Sequence, residues 1–375
     1  MAVIGGGPAG AAAAIVLARA NRRVLLVDMA SSSGFKIGET MPPAAWPLLR
    51  DLGMAEQARA AGHIRCPGNV VFWGSDSAIE RDFIGDIYGE GCHLDRPRFD
   101  SDLRVAAANF GAVVRPNCVF RSGRRSDDSV GWEVQLTQGA VELSVRATWL
   151  IDATGRRALI ATQLGAASEQ RDELVALTAL VSNRGNTDAR TYIEAVEDGW
   201  WYSARLPGDR RILGFFTDGD LPASRDASGP EGFSRRLRAT RHLRHVVGEL
   251  NFDAFDRVRR FPAATVVRSE FCGEGWIAVG DATLAFDPLS SQGIFHALYT
   301  GIRGAQTILD VRSDGADGAL TAWTDRIHAI EAAYRKHLAE CYTRETRWPD
   351  SDFWQRRQLS FDPVHADHAD TLAVS

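Results

Sequence analysis

The chain has 375 residues, of which 45% are hydrophobic, and a formal net charge of −5. No run of about 18 apolar residues indicates a transmembrane span, and no signal peptide precedes the first glycine motif. The five cysteines are widely spaced and lack a Cys-x-x-Cys pair, which argues against a disulfide framework and a zinc site. We therefore expect a soluble, cytoplasmic protein with two interleaved lobes, no membrane contact and no metal.

The amino-terminal half alternates strand and helix patterns. In chain order, hydrophobic spacing and turn residues predict a strand at 2–4, a helix at 8–20, a strand at 24–27, a helix at 46–52, strands within 70–94, a helix at 99–110 and a hairpin with a following strand over 134–152. The first three form a βαβ unit. This opening is typical of an α/β fold.

The second half of the chain first has strand patterns and then helix patterns. Strand-forming runs at 174–181, 200–206 and 211–217 are separated by Gly, Pro and Asp turns, which predicts an antiparallel sheet inserted into the first lobe. From Gly293 onward, apolar residues recur at helical spacing, and a second helix is predicted at 320–342.

The segment Gly5-Gly6-Gly7-Pro8-Ala9-Gly10 matches G-x-G-x-x-G between a predicted strand and a predicted helix. In this pattern Gly5 permits a tight turn, Gly7 lets the backbone approach a pyrophosphate, and Gly10 lets the helix pack closely on the strand. Asp28 ends the next strand, where a carboxylate can bind a ribose hydroxyl. These features predict a dinucleotide site; the alternative is a turn that is only structural.

A second site signal follows the strand at 276–279. Gly280-Asp281 lies at its carboxyl end, where open α/β sheets bind ligands. The segment 287–293 then turns into a helix whose first N–H groups suit a ligand with negative charge, such as a reduced flavin ring. The alternative is that Asp287 or Ser291 merely caps that helix.

Three motifs, GGGPAG, the DATGR of 152–156 and GDATLAFDPLSSQG, occur in an order that resembles the FAD-dependent aromatic hydroxylase superfamily, which includes flavin-dependent tryptophan halogenases. The resemblance covers nearly the whole chain and implies FAD as cofactor. It implies that Asp281 contacts the flavin ribityl chain, and that Pro288, with Gly293 and Ile294 after it, lies beside the flavin ring.

Two further residues enter through the same resemblance. Arg98, within LDRPRFDSDL, resembles the superfamily's arginine near the FAD phosphates or ribityl chain; the alternative is a surface ion pair with Asp100 or Asp102. Glu39, within KIGET, resembles an acidic residue beside the flavin. Its alternative is to cap the following helix.

The sequence departs from the halogenases at the residues they use for catalysis. Those enzymes have a glutamate in the segment that corresponds to PLSSQGI, and here Ser290 takes its place. They also use a lysine, whereas no lysine lies between Lys36 and Lys336. Both departures favour oxygen transfer over halogenation.

The segments FKIGETMPP, FWGSD, HLDRPRFD, DGWWYSARLPG and RWPDSDFWQRR resemble a narrower group of flavoproteins that modify tryptophan residues while protein-derived quinone cofactors mature. This implies an FAD-dependent monooxygenase that hydroxylates a protein-bound tryptophan of an amine dehydrogenase small subunit through a flavin C4a-hydroperoxide. NADH or NADPH, used directly or through a separate reductase, would reduce the flavin. The alternatives are a hydroxylase of a free aromatic metabolite, a halogenase, and a flavoprotein that binds a partner without turnover.

The inserted sheet supplies candidates for the substrate side. Trp200 and Tyr202 alternate along one strand and so share a face, and Phe215 follows on a nearby strand; the alternative is that all three are sheet core. For catalysis we expect Pro288 and Ser290 near the reacting centre, with His296 or His93 transferring protons. A structural histidine is the alternative for each.

These expectations divide the chain into three parts. The FAD-binding lobe is predicted at 1–70, 95–172 and 268–312, the substrate-binding sheet at 71–94 and 173–267, and a carboxyl-terminal helical region and tail at 313–375. The basic run 235–245 is interpreted as a solvated helix face rather than a nucleic-acid site. The Trp348 and Phe353-Trp354 tail is either a docking surface or hydrophobic packing that covers the FAD lobe.

Overall fold

A computed structural model describes residues 1–29, 36–126, 131–183, 185–248, 257–311 and 318–360. The strands are β1 (Ala2–Ile4), β2 (Leu25–Val27), β3 (Thr40–Met41), β4 (Ile64–Cys66), β5 (Gly68–Phe72), β6 (Ile79–Asp82), β7 (Gly91–His93), β8 (Val113–Arg115), β9 (Cys118–Arg125), β10 (Trp132–Gln138), β11 (Val141–Ala147), β12 (Leu150–Asp152), β13 (Ser168–Gln170), β14 (Leu174–Ser182), β15 (Thr191–Val196), β16 (Gly199–Leu206), β17 (Arg210–Asp218), β18 (Arg259–Pro262), β19 (Val266–Arg268), β20 (Cys272–Gly273), β21 (Trp276–Ala278) and β22 (Leu284–Ala285). The helices are α1 (Pro8–Arg19), α2 (Ala45–Asp51), α3 (Ala55–Ala60), α4 (Arg96–Asn109), α5 (Leu159–Gln163), α6 (Pro222–Asp226), α7 (Pro230–Ala239), α8 (Leu243–Val247), α9 (Gly293–Asp310), α10 (Gly318–Thr343) and α11 (Asp352–Ser360).

The described residues form two compact units. The first unit comprises those of Met1–His63, Leu94–Arg171 and Thr265–Glu331, and the second comprises those of Ile64–His93, Asp172–Ala264 and 332–360. The predicted third region at 313–375 is therefore divided between the units within α10. Strand β5 belongs wholly to the second unit, whereas the predicted boundary between the two lobes, after residue 70, falls within this strand.

The first unit is built on a sheet with the strand order β20-β21-β12-β1-β2-β8. All neighbours are parallel except β20 and β21. Ala2, Val3 and Ile4 are all buried, as expected of a central parallel strand that is covered on both faces. The predicted α/β fold with a βαβ opening is confirmed.

Helix α1 is buried through its alanine-rich centre, and α9 packs closely against it. A Cβ atom added to Gly301 of α9 would lie 2.3 Å from the carbonyl oxygen of Ala9. The two helices therefore approach at backbone distance, which requires glycine at this position.

The second unit is a seven-stranded sheet with the order β18-β14-β17-β16-β15-β5-β6. Its neighbours are antiparallel except for the parallel pair β5 and β15. One face packs on α7 and α8 through a buried cluster that includes Trp201, Phe215 and Phe233. The Glu194 carboxylate accepts hydrogen bonds from backbone N–H groups of residues 241–243 and so fixes the start of α8.

The carboxyl-terminal aromatic residues pack inside the second unit. Phe353 and Trp354 are 0% exposed, and the Trp354 indole donates to the carbonyl oxygen of Val196 at 3.0 Å. Arg357 pairs with Asp218 at 2.7 Å. Of the two interpretations of Phe353-Trp354, hydrophobic packing is therefore the one that the structure supports.

Replacing Trp354 by alanine should destabilise the protein strongly. The variant leaves a cavity and an unpaired carbonyl, which together cost about 3–5 kcal/mol of the free energy of unfolding. Leu359→Ala in the same helix, where the side chain is 57% exposed, should cost less than about 0.5 kcal/mol. Urea denaturation monitored by circular dichroism measures both, and equal losses in the two variants would contradict the assigned packing.

Candidate functional site

In the turn between β1 and α1, two glycines have no space for a side chain, and a third borders open space. A Cβ on Gly5, whose φ is 110°, would lie 2.0 Å from the Ala153 carbonyl oxygen, and one on Gly10 would lie 1.9 Å from that of Gly5. A Cβ on Gly7 would meet nothing within 4 Å. Gly5 and Gly10 are thus required by packing, whereas Gly7 borders free space.

The open space at Gly7 fits a diphosphate group. Gly7 is the N-cap of α1 and provides no side-chain cap, and Pro8 occupies the first turn, so the helix start presents backbone N–H groups. An anion at this position satisfies them and interacts favourably with the helix dipole. The residues present therefore fit the pyrophosphate of a dinucleotide.

Asp28 lies directly after β2 and beside the glycine turn. Its Oδ2 atom accepts a hydrogen bond at 3.1 Å from Arg104 of α4, which also donates to the Gly6 carbonyl oxygen at 3.0 Å. A Cβ on Gly6 would lie 2.7 Å from that carboxylate. Arg104 thus orients the predicted ribose ligand, a role that sequence reasoning missed because the contact spans 76 residues.

Gly280 lies against the first turn of α1, and Asp281 follows it in the chain. Gly280 has a φ of 63°, and a Cβ there would lie 2.8 Å from the Ala9 Cβ atom. Asp281 is part-exposed, and its Oδ2 atom lies 3.9 Å from Arg156 Nε. Arg156 also donates to the Phe286 carbonyl oxygen at 2.8 Å, so it links the DATGR motif to the Gly-Asp loop. The motif was recognised from sequence, but this role of its arginine was not.

The acidic residue of the DATGR motif, Asp152, has a structural role. Asp152 is 0% exposed and accepts hydrogen bonds from the backbone N–H groups of Thr154, Ile160 and Ala161. Burial raises the pKa of Asp152, and these hydrogen bonds act in the opposite direction. The carboxylate therefore shapes the turn after β12.

The proline loop is organised by its own polar groups. Asp287 is buried, and its Oδ1 atom accepts from Leu289 N at 2.8 Å, which caps the 3₁₀ turn Pro288–Ser290. Ser290 Oγ donates to the Asp287 carbonyl oxygen at 2.8 Å. The helix α9 starts later, with Gln292 as N-cap and no side-chain cap hydrogen bond. The N–H groups of Gly293 and Ile294 thus begin an 18-residue helix whose start suits an anionic ring edge.

His296 lies inside α9 and is 2% exposed. Its Nε2 atom is 3.3 Å from Thr283 Oγ1, and burial lowers its pKa to about 4. In the second unit, burial likewise lowers the pKa of His93 to about 4, and its Nε2 atom is 2.8 Å from Thr191 Oγ1. Both imidazoles are therefore neutral at neutral pH, and proton transfer by either stays a prediction.

The segment that carries Glu39 is fixed to α4. Arg96 donates to the carbonyl oxygens of Ile37 and Gly38, each at 2.8 Å, and Lys36 pairs with Asp100 at 2.7 Å. Burial would raise the pKa of Asp100, but the charges of Arg96 and Lys36 outweigh burial and lower the pKa. Glu39 is itself buried, and its flavin contact stays a prediction.

Arg98 occupies an exposed position on α4. Its Nε atom lies 3.8 Å from Asp102 Oδ2, and its side chain is 57% exposed. This matches the surface ion pair that was the alternative to cofactor binding. The arginine of α4 that reaches the glycine turn is Arg104.

In the second unit the structure separates the three predicted substrate residues. Register pairs Tyr202 with Gly214 and Trp201 with Phe215, so Phe215 shares its face with Trp201. Phe215 is 0% exposed and belongs to the core under α7. Phe216 is instead the neighbour of Trp200, stacked with ring centroids 3.9 Å apart. Phe215 therefore matches its alternative, sheet core, and Phe216 is the aromatic residue on the face of Trp200.

A glycine turn at an uncapped helix start, an acidic residue after the next strand and a second uncapped helix define a dinucleotide-binding protein of the flavin type. Residues 1–299 match the FAD binding domain family, and the chain belongs to that family. The expectations of FAD and of an FAD-dependent enzyme of the hydroxylase and halogenase superfamily are confirmed.

Three known proteins illustrate this relationship. LodB of Marinomonas mediterranea, whose name provisionally gives it as an FAD-dependent oxidoreductase, is 32% identical over 377 residues, which cover 97% of this chain and 98% of LodB. The structure of QhpG, a peptidyl tryptophan dihydroxylase essential for tryptophylquinone cofactor biogenesis, has 26% identity and a TM-score of 0.77, with 95% of this chain and 78% of QhpG covered. The flavin-dependent halogenase CmlS has the same fold, with a TM-score of 0.87 at 23% identity, covering 100% of this chain and 70% of CmlS.

Among the described residues, no helix is both long and apolar enough to cross a membrane.

Alanine at Gly7 should affect FAD binding, whereas alanine at Gly10 should affect the stability of the fold. Gly7→Ala leaves the folded apoprotein intact but weakens FAD binding roughly ten-fold or more, because its methyl group occupies the approach of the pyrophosphate. Gly10→Ala collides with the Gly5 carbonyl and lowers the free energy of unfolding of the apoprotein by about 2 kcal/mol or more. Flavin fluorescence titration and thermal denaturation separate the two effects. A Gly7→Ala variant with wild-type FAD affinity would contradict the assigned site.

The buried His296 should make the protein less stable in acid. Its pKa in the folded protein is about 4, whereas an unfolded histidine titrates near 6.5. The unfolded chain thus binds the proton first, and the free energy of unfolding falls as pH decreases from about 6.5 to 4, by at most about 1.4 kcal/mol per pH unit. His296→Gln removes this contribution, so urea denaturation from pH 7 to 4.5 should show a shallower dependence. An unchanged slope would contradict the buried, neutral imidazole.

Proposed function

We propose that this enzyme hydroxylates a protein-bound tryptophan, using dioxygen and a reduced nicotinamide, during the formation of a quinone cofactor. The observation that carries the proposal is the similarity to the peptidyl tryptophan dihydroxylase QhpG, at 26% identity over 95% of this chain. The partner that this implies is a protein such as the small subunit of an amine dehydrogenase. NADH or NADPH is the proposed source of electrons, directly or through a separate reductase.

The first unit has the groups that such a reaction requires. Bound FAD would supply the redox chemistry, with two electrons from the nicotinamide and with dioxygen, of which one atom would enter the indole ring and the other would leave as water. The start of α1 would hold the pyrophosphate, Asp281 would accept hydrogen bonds from ribityl hydroxyls, and the start of α9 would stabilise negative charge on the ring. Pro288 provides an apolar surface that excludes water from the reacting centre.

The proline loop favours oxygen transfer over halogenation. Ser290 carries a neutral hydroxyl that donates to the Asp287 carbonyl oxygen, so this position supplies no carboxylate. Lys36 is paired with the buried carboxylate of Asp100. The acid and the ammonium group expected of a halogenase are therefore not offered by these residues.

The second unit has an aromatic face on which Trp200 is buried, at 1% exposure, as its sheet-core alternative predicts, and on which Tyr202 is part-exposed. Trp200 and Tyr202 lie on the face of the sheet opposite to Trp201, and Phe216 stacks on Trp200 with an interplanar angle of 4°. An indole ring packs well against such surfaces in offset or edge-on geometry.

The same face has two buried donors without an acceptor. Trp200 Nε1 and Thr178 Oγ1 have no hydrogen-bond partner among the described residues. Thr178 pairs in register with Gly214, which pairs with Tyr202, so its hydroxyl is on the face of Trp200 and Tyr202. An unpaired buried donor costs about 1–3 kcal/mol, which a carbonyl oxygen of a bound peptide would recover.

The direct test incubates the FAD-loaded enzyme, with NADH or NADPH, with the unmodified small subunit of a quinohemoprotein amine dehydrogenase, and measures the mass of its tryptophan peptides. We expect a gain of one or two oxygen atoms on a single tryptophan. Oxygen added only to free tryptophan or indole would favour the hydroxylase of a free metabolite. A halogen in the product, or no product despite FAD reduction, would refute the proposal.

A matched pair of variants ties the activity to the proposed face. Trp200→Phe should reduce kcat/KM for the subunit roughly ten-fold, because it shortens the stacking surface and removes the indole donor. Trp201→Phe, one residue away on the opposite face, should lower stability but change kcat/KM less than about two-fold. Equal effects on kcat/KM would show that the face of Trp200 is not the substrate face.

A further inference from the structure

An exposed apolar projection, residues 79–90, extends from the edge of the second unit. It consists of β6 and the loop that follows. Within it Ile84 is 95% exposed, Ile87 is 87% exposed, and Ile79 and Tyr88 are also exposed. Monomeric surfaces rarely expose several large apolar side chains in one short segment unless they bind something.

The projection is held in a defined conformation. Asp86 N donates to the Phe83 carbonyl oxygen and Gly89 N to that of Asp86, each at 2.9 Å, which makes two consecutive turns. The buried ring of Phe83 anchors the first turn. Turn positions usually carry Gly, Pro, Asn, Asp or Ser; Gly85 fits this rule, but the first central position of each turn carries an isoleucine, Ile84 or Ile87. The two isoleucines are thus held in water by an ordered backbone.

Strand β6 has an open hydrogen-bonding edge. It is the last strand in the described sheet order, and it pairs with β5 on one side. Phe83 N donates to the Pro67 carbonyl oxygen, so the hydrogen-bonded pairs with β5 continue at Arg81 and Ile79. The N–H and C=O groups of Glu80 and Asp82 therefore point away from β5. An extended peptide chain is the ligand that satisfies them.

The charge of the projection selects the kind of partner. It carries four acidic residues, Glu80, Asp82, Asp86 and Glu90, against one basic residue, Arg81. Arg190, which directly precedes β15, pairs with Glu80 at 3.1 Å. Asp82 and Asp86 form no ion pair with the residues that the structure describes. Antiparallel pairing with a second copy would set Glu80 and Asp82 against the same acids, which is unfavourable. The complementary occupant is a chain that is extended, basic and partly apolar.

We propose that the 79–90 projection is a docking surface for an extended basic and apolar segment of the protein substrate, separate from the segment that carries the target tryptophan. This inference rests on the proposed function. The segment adds a strand to β6, covers Ile84, Ile87 and Tyr88, and places its basic side chains beside Asp82 and Asp86. Docking of this kind lowers KM for the whole protein without changing the reaction on a short peptide.

The apolar contact is tested with Ile84→Ser/Ile87→Ser in the FAD-loaded full chain. With the unmodified amine dehydrogenase small subunit as probe, we expect KM to rise roughly ten-fold at nearly constant kcat. With a short synthetic peptide around the target tryptophan, both constants should stay within about two-fold of wild type. The control is Val141→Ser, an exposed apolar residue of the first unit at 58% exposure, which should leave KM and kcat unchanged for both substrates.

The backbone contact is tested by comparing Asp82→Asn with Asp82→Pro. Both remove the charge, but only proline removes the outward N–H group, and the β5–β6 hydrogen bonds do not use that group. We expect Asp82→Pro to raise KM for the subunit several-fold beyond Asp82→Asn. Thermal denaturation controls for folding, because both variants should melt near the wild-type temperature.

The outcomes separate this inference from the proposed function. If wild type adds oxygen to the subunit but the isoleucine variant has the same KM, the docking surface is wrong and the function stands. If the variant loses activity equally on the subunit and the short peptide, the projection has a structural role and the inference fails. If wild type modifies neither substrate, the proposed function fails and the docking inference fails with it. If gel filtration shows a dimer that the isoleucine variant dissociates without changing KM, the projection joins two copies instead.

Discussion

The amino-terminal half of α1 lies at backbone contact distance from three other segments, and much of the first unit depends on this packing. Ala9 meets Gly280 on one side and Gly301 of α9 on another, while Gly10 lies against the Gly5 carbonyl. At each of these glycines an added Cβ would lie 2.8 Å or less from a neighbouring atom. Because these glycines have no side chain, the glycine turn, the Gly-Asp loop and α9 can approach α1 closely, although they are far apart in the chain.

This packing has an electrostatic consequence. Two helices begin without side-chain caps, α1 at Gly7 and α9 at Gln292, so two sets of backbone N–H groups are available to an anionic ligand within one unit. The carboxylates of Asp28 and Asp281 each have an arginine nearby, Arg104 and Arg156 respectively. A long ligand with phosphates, hydroxyls and a ring that becomes anionic fits this distribution of charge.

Sequence reasoning predicted what local signals determine. The βαβ opening, the glycine turn and α9 follow from hydrophobic spacing and from residues adjacent in the chain. It missed Arg104 because a contact across 76 residues has no local pattern. It could not assign Phe215 to a face of the sheet, because one residue of register reverses every side chain of a strand. It could not see that β5 joins the second unit through a parallel pair with β15, which depends on tertiary pairing.

The proposed reaction and the proposed docking use different parts of the second unit. The aromatic face of Trp200 and Tyr202 serves the target tryptophan, and the acidic edge at β6 serves the rest of the substrate protein. The most direct test supplies isotopically heavy dioxygen to the enzyme, FAD, a reduced nicotinamide and the unmodified small subunit, followed by mass spectrometry of the tryptophan peptide. The account predicts that the heavy isotope appears in the indole ring of one protein-bound tryptophan. Heavy oxygen found only in water or peroxide, with the tryptophan unchanged, would contradict it.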